Sequence, residues 1–243
     1  MSTAIVITSG KGGTGKTSLT AGVSSCLAAL GKRVLCIDLD IGLRNLDIAL
    51  GMDDRAVIDF TDVMDRRCSL LTGAVEQPKI RGLHLLTAPL RLEHPDFDRF
   101  RQVVEEAKEM YDFVLLDSPA GLGDGFQLAM CAADRAVVVS ATDPAALRDA
   151  QRAVSELIHT VDELHLVMNR VEPRVMRHLH TTIDEAMDTA GLPLLGVVPE
   201  DPKVVLAAGH GVPLVLYARR GAVRAYLNIA KRLLGQKVPL MKN

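Results

Sequence analysis

The sequence predicts a doubly wound α/β fold, in which helices cover both faces of a mostly parallel sheet. Short, continuous apolar runs alternate with helical patterns along the chain. Continuous apolar runs are typical of strands that are buried on both faces, and their alternation with helices predicts βα units. No Pro/Gly/Ser-rich linker, charge block or internal repeat divides the chain, so we expect a single domain over residues 1–243.

Seven apolar runs predict the strands, and the stretches between them predict the helices. The strands are Ala4–Thr8, Val34–Ile37, Leu83–Thr87, Phe113–Leu116, Ala136–Ser140, Leu164–Met168 and Leu194–Val198. The helices are Gly15–Leu30, Asp96–Met110, Pro144–Val161, Val175–Ala190 and Ala222–Leu234. Leu19, Val23 and Leu27 share one stripe of the first helix, as a helix that packs on a sheet requires.

Composition excludes several classes of function. The chain has 28 basic and 30 acidic residues, whereas a dedicated polyanion-binding domain is strongly basic. Aromatic residues make up 3% and Trp is absent, which argues against a stacking platform for single-stranded nucleic acid. The four cysteines form no CxxC motif, and no segment is typical of a signal peptide or a membrane span. We therefore expect a cytoplasmic protein.

A glycine-rich loop directly follows the first predicted strand and opens the first predicted helix. Residues 10–17 read GKGGTGKT and fit the phosphate-loop pattern GxxxxGK[ST]. Main-chain N–H groups of such a loop cradle phosphate oxygens, Lys16 would lie against the β- and γ-phosphates, and the Thr17 hydroxyl would ligate Mg²⁺. The predicted phosphate-binding residues are Gly10, Lys11, Gly12, Gly13, Thr14, Gly15, Lys16, Thr17 and Ser18.

Three carboxylates end two of the predicted strands. Asp38 and Asp40 follow the second strand, and Asp117 follows the fourth. Ligands of open α/β sheets bind outside the carboxyl ends of the strands, and Mg²⁺ prefers one or two carboxylates plus waters. From the residues alone, Asp38 and Asp40 are either turn formers or a pair that holds a metal-bound water and orients an attacking one.

The loop and two further segments together resemble a known family. SGKGGTGKTS is similar to the deviant Walker A motif of the MinD/ParA family of P-loop ATPases, which dimerise face to face over two nucleotides. DLDIGLRNLDIALG at 38–51 resembles switch I of the cell-division branch of that family, and DSPAG at 117–121 resembles its switch II. The similarity covers Ala4 through Leu240 in the same order and spacing.

The resemblance implies ATP and Mg²⁺ as cofactors and a homodimer in the ATP-bound state. Lys11 would reach the partner's phosphates across the interface, as an arginine finger does. Asp38 would lie near Mg²⁺, which Thr17 ligates and which Asp117, at the Walker B position, supports from behind the direct ligands, and Asp40 would orient or deprotonate the hydrolytic water.

Other residues acquire roles through the same resemblance. Asn45 matches a dimer-interface residue, and Gly121 would let a main-chain N–H approach the γ-phosphate. Gln151 stands where family members often carry an acid linked to dimerisation, so the dimer contacts there depart from the family pattern. The residues that would surround adenine are Asn169, Arg170, Pro199, Glu200 and Asp201. Taken alone, the Pro-Glu-Asp-Pro segment is a strand-to-helix turn with Asp201 as N-cap.

The function implied by the resemblance is ATP hydrolysis that controls placement of the division septum. Its partners would be a division inhibitor (MinC-like) and a small activator (MinE-like). Residues 235–243, interrupted by Pro239, are too few for the amphipathic membrane helix typical of the cell-division branch. We therefore expect membrane association, peripheral on the inner face, to be weakened or lost.

Two other functions remain open from the sequence. A DNA-partitioning ATPase of the ParA type would use a basic cluster near the C-terminus, which is otherwise a solvated helix face or a contact for anionic lipid. That cluster comprises Arg219, Arg220, Arg224, Lys231 and Arg232. A nucleotide-dependent scaffold that hydrolyses slowly is the second. His178 and His180 do not converge at i, i+2 of a helix, so we predict no metal site there.

Overall fold

A computed structural model describes residues 2–53, 55–178 and 182–240. These residues contain one sheet of eight strands in the order β3-β4-β2-β5-β1-β6-β7-β8. The strands are β1 (Thr3–Thr8), β2 (Val34–Asp38), β3 (Val75–Glu76), β4 (Leu83–Leu86), β5 (Phe113–Asp117), β6 (Arg135–Ser140), β7 (Glu163–Val171) and β8 (Leu194–Pro199). The described strand pairs are parallel except for β3 with β4.

Helices cover both faces of this sheet, and each face has its own hydrophobic core. The helices are α1 (Lys16–Ala29), α2 (Asn45–Ala49), α3 (Phe60–Met64), α4 (Leu70–Gly73), α5 (Phe97–Met110), α6 (Asp124–Cys131), α7 (Pro144–Leu157), α8 (Pro173–His178), α9 (Ile183–Ala190), α10 (Pro202–Gly209), α11 (Leu214–Tyr217) and α12 (Ala222–Leu233). One core joins the sheet to α3 through α9, and the other joins it to α1, α2 and α10 through α12. The predicted doubly wound fold is confirmed.

The predicted strands are all present, and the differences lie in the helices and at one sheet edge. The helix predicted over Val175–Ala190 is wrong, because Thr182 begins a new helix by forming a capping box with Glu185. Residues 179–181, which include His180 of the histidine pair, lie outside the described residues. The helix predicted over Pro144–Val161 ends at Leu157. The antiparallel strand β3 and the helices α2, α3, α4, α6 and α11 were not predicted.

The parallel register collects polar residues at one edge of the sheet. β2 and β5 pair so that Asp38 lies opposite Asp117, and β1 leads from beside them into the glycine-rich loop. Asn169 and Arg170, predicted to follow a strand, instead lie within β7 near its carboxyl end. The phosphate loop, the acidic residues and the predicted adenine-contacting residues therefore meet at the carboxyl edge of the sheet.

The segment after α12 folds back against β8. The guanidinium of Arg232 donates to the carbonyl oxygens of Val238, Pro239 and Leu195 at 2.8–3.1 Å. The guanidinium of Arg232 is thus engaged by main-chain carbonyls. From the sequence, Arg232 was predicted to belong to the basic cluster near the C-terminus, and the structure removes it from that cluster. Among the described residues, none of the helices has both the length and the apolar character needed to cross a bilayer.

Candidate functional site

The glycine-rich loop joins β1 to α1 and requires glycine at two positions for conformational reasons. Gly13 and Gly15 have φ angles of +78° and +87°, in the left-handed region that residues with a Cβ rarely adopt. A Cβ at Gly15 would also overlap Nδ2 of Asn169. The loop geometry therefore depends both on its own glycines and on a residue from β7.

Gly10 is needed for a different reason, which is close packing. A Cβ at Gly10 would overlap the main-chain carbonyl of Asp149 in α7. At Gly12 the nearest atom to such a Cβ would be that of Ala120, at an ordinary contact distance of 3.6 Å. Gly10 thus allows the loop to pack directly against the main chain of α7, whereas there is room for a Cβ at Gly12.

Lys16 is buried at the start of α1, close to the acidic residues. Its Nζ donates to Oγ of Ser9 at 2.9 Å, and that hydroxyl donates to the carbonyl of Lys11 at 2.7 Å. Burial lowers the pKa of Lys16, and the carboxylates of Asp117 and Asp40 act in the opposite direction. Ser9 was not among the predicted site residues, although it stands directly before the glycine-rich loop.

Lys11 projects from the other end of the loop and meets an acid of its own chain. Its Nζ lies 3.4 Å from Oδ1 of Asp143, and both side chains are more than 40% exposed. Asp143 is also the N-cap of α7 and accepts from the main-chain N–H of Ala146 at 2.9 Å. Gln151, the predicted interface residue, lies two turns further along α7 and is exposed.

Asp117 ends β5 with one carboxylate oxygen bonded and the other unpartnered. Oδ1 accepts from the Thr20 hydroxyl at 2.9 Å, and the buried Oδ2 has no hydrogen-bond partner among the described residues. Burial raises the pKa of Asp117 to about 6, against the lowering effect of the nearby Thr17 and Thr20 hydroxyls and of the Lys16 charge. A buried carboxylate oxygen without a partner, beside a threonine hydroxyl, fits a hard cation such as Mg²⁺.

Asp38 lies opposite Asp117 and has both of its oxygens bonded to the main chain. Oδ1 accepts from the N–H of Asp40 at 2.9 Å, and Oδ2 accepts from the N–H of Leu46 at 3.2 Å. Burial, followed by the charge of Asp117, raises the pKa of Asp38 to about 7. Thr20 and Leu46 escaped the sequence prediction because their contacts to these carboxylates are made only in the folded chain.

A cavity of about 460 Å³ opens between the loop and the segment that follows β2. It brings together the residues predicted for phosphate, hydrolysis and dimer contact. Its lining includes Gly12, Gly13, Gly15, Lys16, Thr17, Ser18, Asp40 and Asn45. From the predicted switch II, Ser118 and Ala120 contribute to the lining, whereas Gly121 follows them with a φ of +84°.

A second cavity, of about 250 Å³, lies on the other side of the loop at the ends of β7 and β8. It collects all five residues predicted to surround adenine, together with Val204, Val205 and Tyr226, which were not predicted. Apolar walls with a few polar groups are typical of small-molecule sites. Tyr226 belongs to α12, where it is also part of the buried core on that face of the sheet.

The polar residues of this second cavity also hold the surrounding main chain. Nδ2 of Asn169 donates to the carbonyl of Thr14 at 2.7 Å, which ties β7 to the loop. Arg170 donates to Glu200 at 2.7 Å and to the carbonyl of Gly13 at 3.1 Å. Asp201 accepts from the N–H groups of Lys203 and Ala222 at 3.0 Å each, so it does cap α10, the alternative that the sequence left open.

The histidine, cysteine and acidic side chains do not form a separate metal site in the part of the chain that the structure describes. No group of three or more of them is placed to hold an ion there.

The fold and the phosphate loop together define a P-loop nucleotide-binding protein. A family model described as the CobQ/CobB/MinD/ParA nucleotide binding domain matches residues 5–214. The septum site-determining protein MinD of Bacillus subtilis (strain 168) is 39% identical over 99% of this chain and 92% of that protein. The chain belongs to the MinD/ParA family of ATPases, which confirms the family predicted from the motifs.

Two solved structures show the same relationship in three dimensions. A chain of the MinC:MinD cell division protein complex of Aquifex aeolicus has a TM-score of 0.92 and 37% identity, with 99% of both chains covered. The septum site-determining protein MinD of Pyrococcus horikoshii OT3, solved with Mg-ADP, has a TM-score of 0.85 and 31% identity, with 96% of both chains covered.

Proposed function

We propose that this protein is an ATP-driven dimeric switch of the MinD type that controls where the division septum forms. The observation that carries the proposal is the arrangement at the carboxyl edge of the sheet. Lys16 is buried beside Asp117, Asp40 lines the same cavity, and Lys11 stands exposed at the outer end of the loop. Residues 1–243 would act as one P-loop ATPase domain.

The nucleotide and its metal would be ATP and Mg²⁺. Residues 10–18 would cradle the phosphates, and the cavity beside Asn169, Arg170, Pro199, Glu200 and Asp201 is large enough for the adenine base. The Thr17 hydroxyl and the unpartnered Oδ2 of Asp117 would hold Mg²⁺, with Asp38 on the adjacent strand. Bound Mg²⁺ would neutralise the charge on the β- and γ-phosphate oxygens.

Hydrolysis of the bond between the β- and γ-phosphates would need three side chains of this protein. Asp40, partly exposed in the cavity that the phosphate loop lines, would orient the attacking water or accept its proton. Lys16 would stabilise the charge that develops on the phosphate oxygens. Lys11 would supply a second positive charge to the nucleotide of the partner subunit, because its side chain is exposed and its contact within the chain is with the equally exposed Asp143.

Dimerisation would depend on nucleotide through the segments that line the cavity. Asn45 begins α2 and lines the cavity, and both Lys11 in the loop and Gln151 in α7 are exposed. Gly121, in the left-handed region, would let the main chain approach the γ-phosphate, so that loss of this phosphate releases the segment.

The biological partners follow from the relatives. The Aquifex aeolicus structure holds MinD with MinC, which supports a MinC-like division inhibitor as a partner of this protein. A small MinE-like activator would stimulate hydrolysis, and the ATP-bound dimer would recruit the inhibitor. Sedimentation with anionic lipid vesicles, with ATP and with ADP, tests the membrane association.

The proposed catalysis is tested by ATP turnover of Lys11→Ala and Asp40→Ala. Because an arginine finger contributes roughly 10³–10⁵-fold to rate, we expect Lys11→Ala to lose most of the turnover. Lys79→Ala, which removes an exposed lysine distant in sequence from the loop, serves as the control and should keep wild-type turnover. Unchanged turnover in either site variant would refute the proposed mechanism.

A ParA-like role in DNA partitioning is the second candidate, supported by the exposed Arg219, Arg220 and Arg224. The net charge of −2 and the engagement of Arg232 by main-chain carbonyls weigh against it. A mobility shift of random duplex DNA at low salt, with ATP, decides between the two, because DNA binding would fall steeply with salt. A slowly hydrolysing scaffold is distinguished from a switch by measuring ATP turnover with and without vesicles and an activator. A switch should be stimulated by these additions, whereas a scaffold should stay slow.

A further inference from the structure

Asp38 connects the end of β2 to two points further along the chain. It is fully buried, and its two carboxylate oxygens accept from the main-chain N–H groups of Asp40 and Leu46, at 2.9 and 3.2 Å. The segment 40–46 begins at the proposed hydrolytic residue and ends inside α2. One side chain therefore holds this segment at both of its ends.

The second of these bonds replaces a cap that α2 lacks. The N-cap position of α2 is Arg44, whose φ of +48° is left-handed and whose side chain makes no capping bond. Its guanidinium lies instead near Asp59 and the carbonyl of Ala88. The first N–H groups of a helix have no partner within the helix. Asp38 satisfies the N–H of Leu46, a residue with no exposed surface.

Asp117 lies beside Asp38 in the sheet, but its carboxylate accepts no hydrogen bond from the main chain among the described residues. Its Oδ1 accepts from Thr20, and its Oδ2 has no partner among the described residues. Of the two neighbouring carboxylates, one is therefore fully engaged by the main chain and the other keeps a free oxygen. The oxygen available to a cation belongs to Asp117.

We infer that Asp38 is a positioning residue, which fixes Asp40 for hydrolysis and Asn45 for dimer contact by clamping the main chain of segment 40–46. Mg²⁺ would then be held through Thr17 and Asp117, in place of the ligand role that the motif predicts for Asp38. The inference rests on the proposed function. It means that one carboxylate couples the hydrolytic group to the surface that meets the second subunit.

The test compares Asp38→Asn with Asp117→Asn. An asparagine at 38 keeps the shape and one acceptor, but its amide nitrogen cannot accept from a main-chain N–H. In nucleotide-free protein, we expect Asp38→Asn to speed hydrogen exchange at the Asp40 or Leu46 amide by ~10-fold or more. Its kcat should fall by ~10-fold or more because the hydrolytic group is misplaced, while the half-saturating Mg²⁺ concentration changes by less than ~3-fold. Asp117→Asn should raise that concentration by ~10-fold or more.

Two results would overturn the inference. One is an Asp38→Asn protein whose Mg²⁺ requirement rises as far as that of Asp117→Asn, and the other is unchanged exchange at both amides. If Asp38→Asn does not fold, the wild-type protein decides: a Leu46 amide that exchanges at the rate of an unstructured peptide excludes the clamp. Absence of ATP turnover in the wild type would instead defeat the proposed function, since the exchange measurements need no nucleotide.

Discussion

Asp38 and Asp117 lie side by side at the ends of adjacent strands, where both are buried. Burial imposes a cost on the charged form of both carboxylates and raises both pKa values; the charge of Asp117 adds to that cost at Asp38, and the charge of Asp40 adds to it at Asp117. Lys16 is buried nearby and offsets part of it, although its own pKa is lowered by burial. The buried carboxylates are therefore suited to bind a cation, but they destabilise the folded protein when no cation is bound.

The raised pKa values predict how stability depends on pH when nucleotide and Mg²⁺ are absent. The folded-state values of about 7 for Asp38 and about 6 for Asp117 exceed the ordinary value of 3.8. Between these values the folded protein binds more protons than the unfolded chain, so stability falls as pH rises from 3.8 to about 7. Each fully titrating group contributes at most ~1.4 kcal/mol per pH unit to this slope.

Urea denaturation in the presence of a chelator measures this slope. The variant Asp117→Asn, which removes one charge of the pair, should show a flatter dependence than the wild type over the same range. The prediction fails if both proteins have the same slope, or if wild-type stability rises with pH across this window.

A second prediction concerns the contact between Lys11 and Asp143. Exposed ion pairs contribute roughly 0–1 kcal/mol, so the lysine can leave this partner at little cost. Asparagine is as good an N-cap as aspartate, so Asp143→Asn keeps α7 capped and removes only the charge. We expect its ATP turnover to stay within ~5-fold of wild type. A loss comparable to that of Lys11→Ala would show that Lys11 acts through Asp143 within its own chain.

At the scale of elements, the phosphate loop is shaped by its neighbours as much as by its own residues. The main chain of α7 lies against Gly10, and β7 supplies Asn169 and Arg170, which donate to carbonyl oxygens of the loop. The loop therefore forms one unit with α7 and β7. A shift of either element would therefore move the main chain of the loop that is proposed to bind the phosphates.

Substitution of two glycines in the loop tests this dependence. Gly10→Ala would place a methyl group on the carbonyl of Asp149, and overpacking of this kind costs about 1–3 kcal/mol of stability. Gly12→Ala should cost much less, because its Cβ would make only an ordinary contact with Ala120. Thermal unfolding of the two variants without nucleotide makes the comparison. Equal destabilisation would contradict the proposed packing of the loop on α7.

The elements also show what the sequence predicts well and where it fails. Continuous apolar runs predicted every strand of the parallel sheet, because burial on both faces leaves a strong signal. The two-residue strand β3 and the short helix α2 leave none, since their positions depend on contacts such as Gln77 with the carbonyl of Leu50. Thr182 and Glu185 do carry a capping signal, and its omission explains the wrong single helix over 175–190.

At the scale of the whole molecule, topology explains why so much of the candidate site was predictable. Parallel strands end at the same edge, so motifs far apart in sequence are brought together there. Contacts that depend on side-chain direction were not predictable, among them Ser9 with Lys16, Thr20 with Asp117 and Tyr226 in the second cavity. The two hydrogen bonds that Asp38 accepts, from the main-chain N–H groups of Asp40 and Leu46, likewise could not be predicted without the fold.

The central claim is that Lys11 acts on the nucleotide of a second subunit. The direct measurement is ATP turnover of an equal mixture of Lys11→Ala and Asp40→Ala, each of which we expect to be nearly inactive alone. In a mixed dimer, the Lys11→Ala subunit keeps its own Asp40 and receives Lys11 from its partner, so one of the two sites is intact. We predict recovery of up to about a quarter of wild-type turnover, since half of the dimers in a symmetric system are mixed. A mixture no more active than the separate variants would contradict the claim.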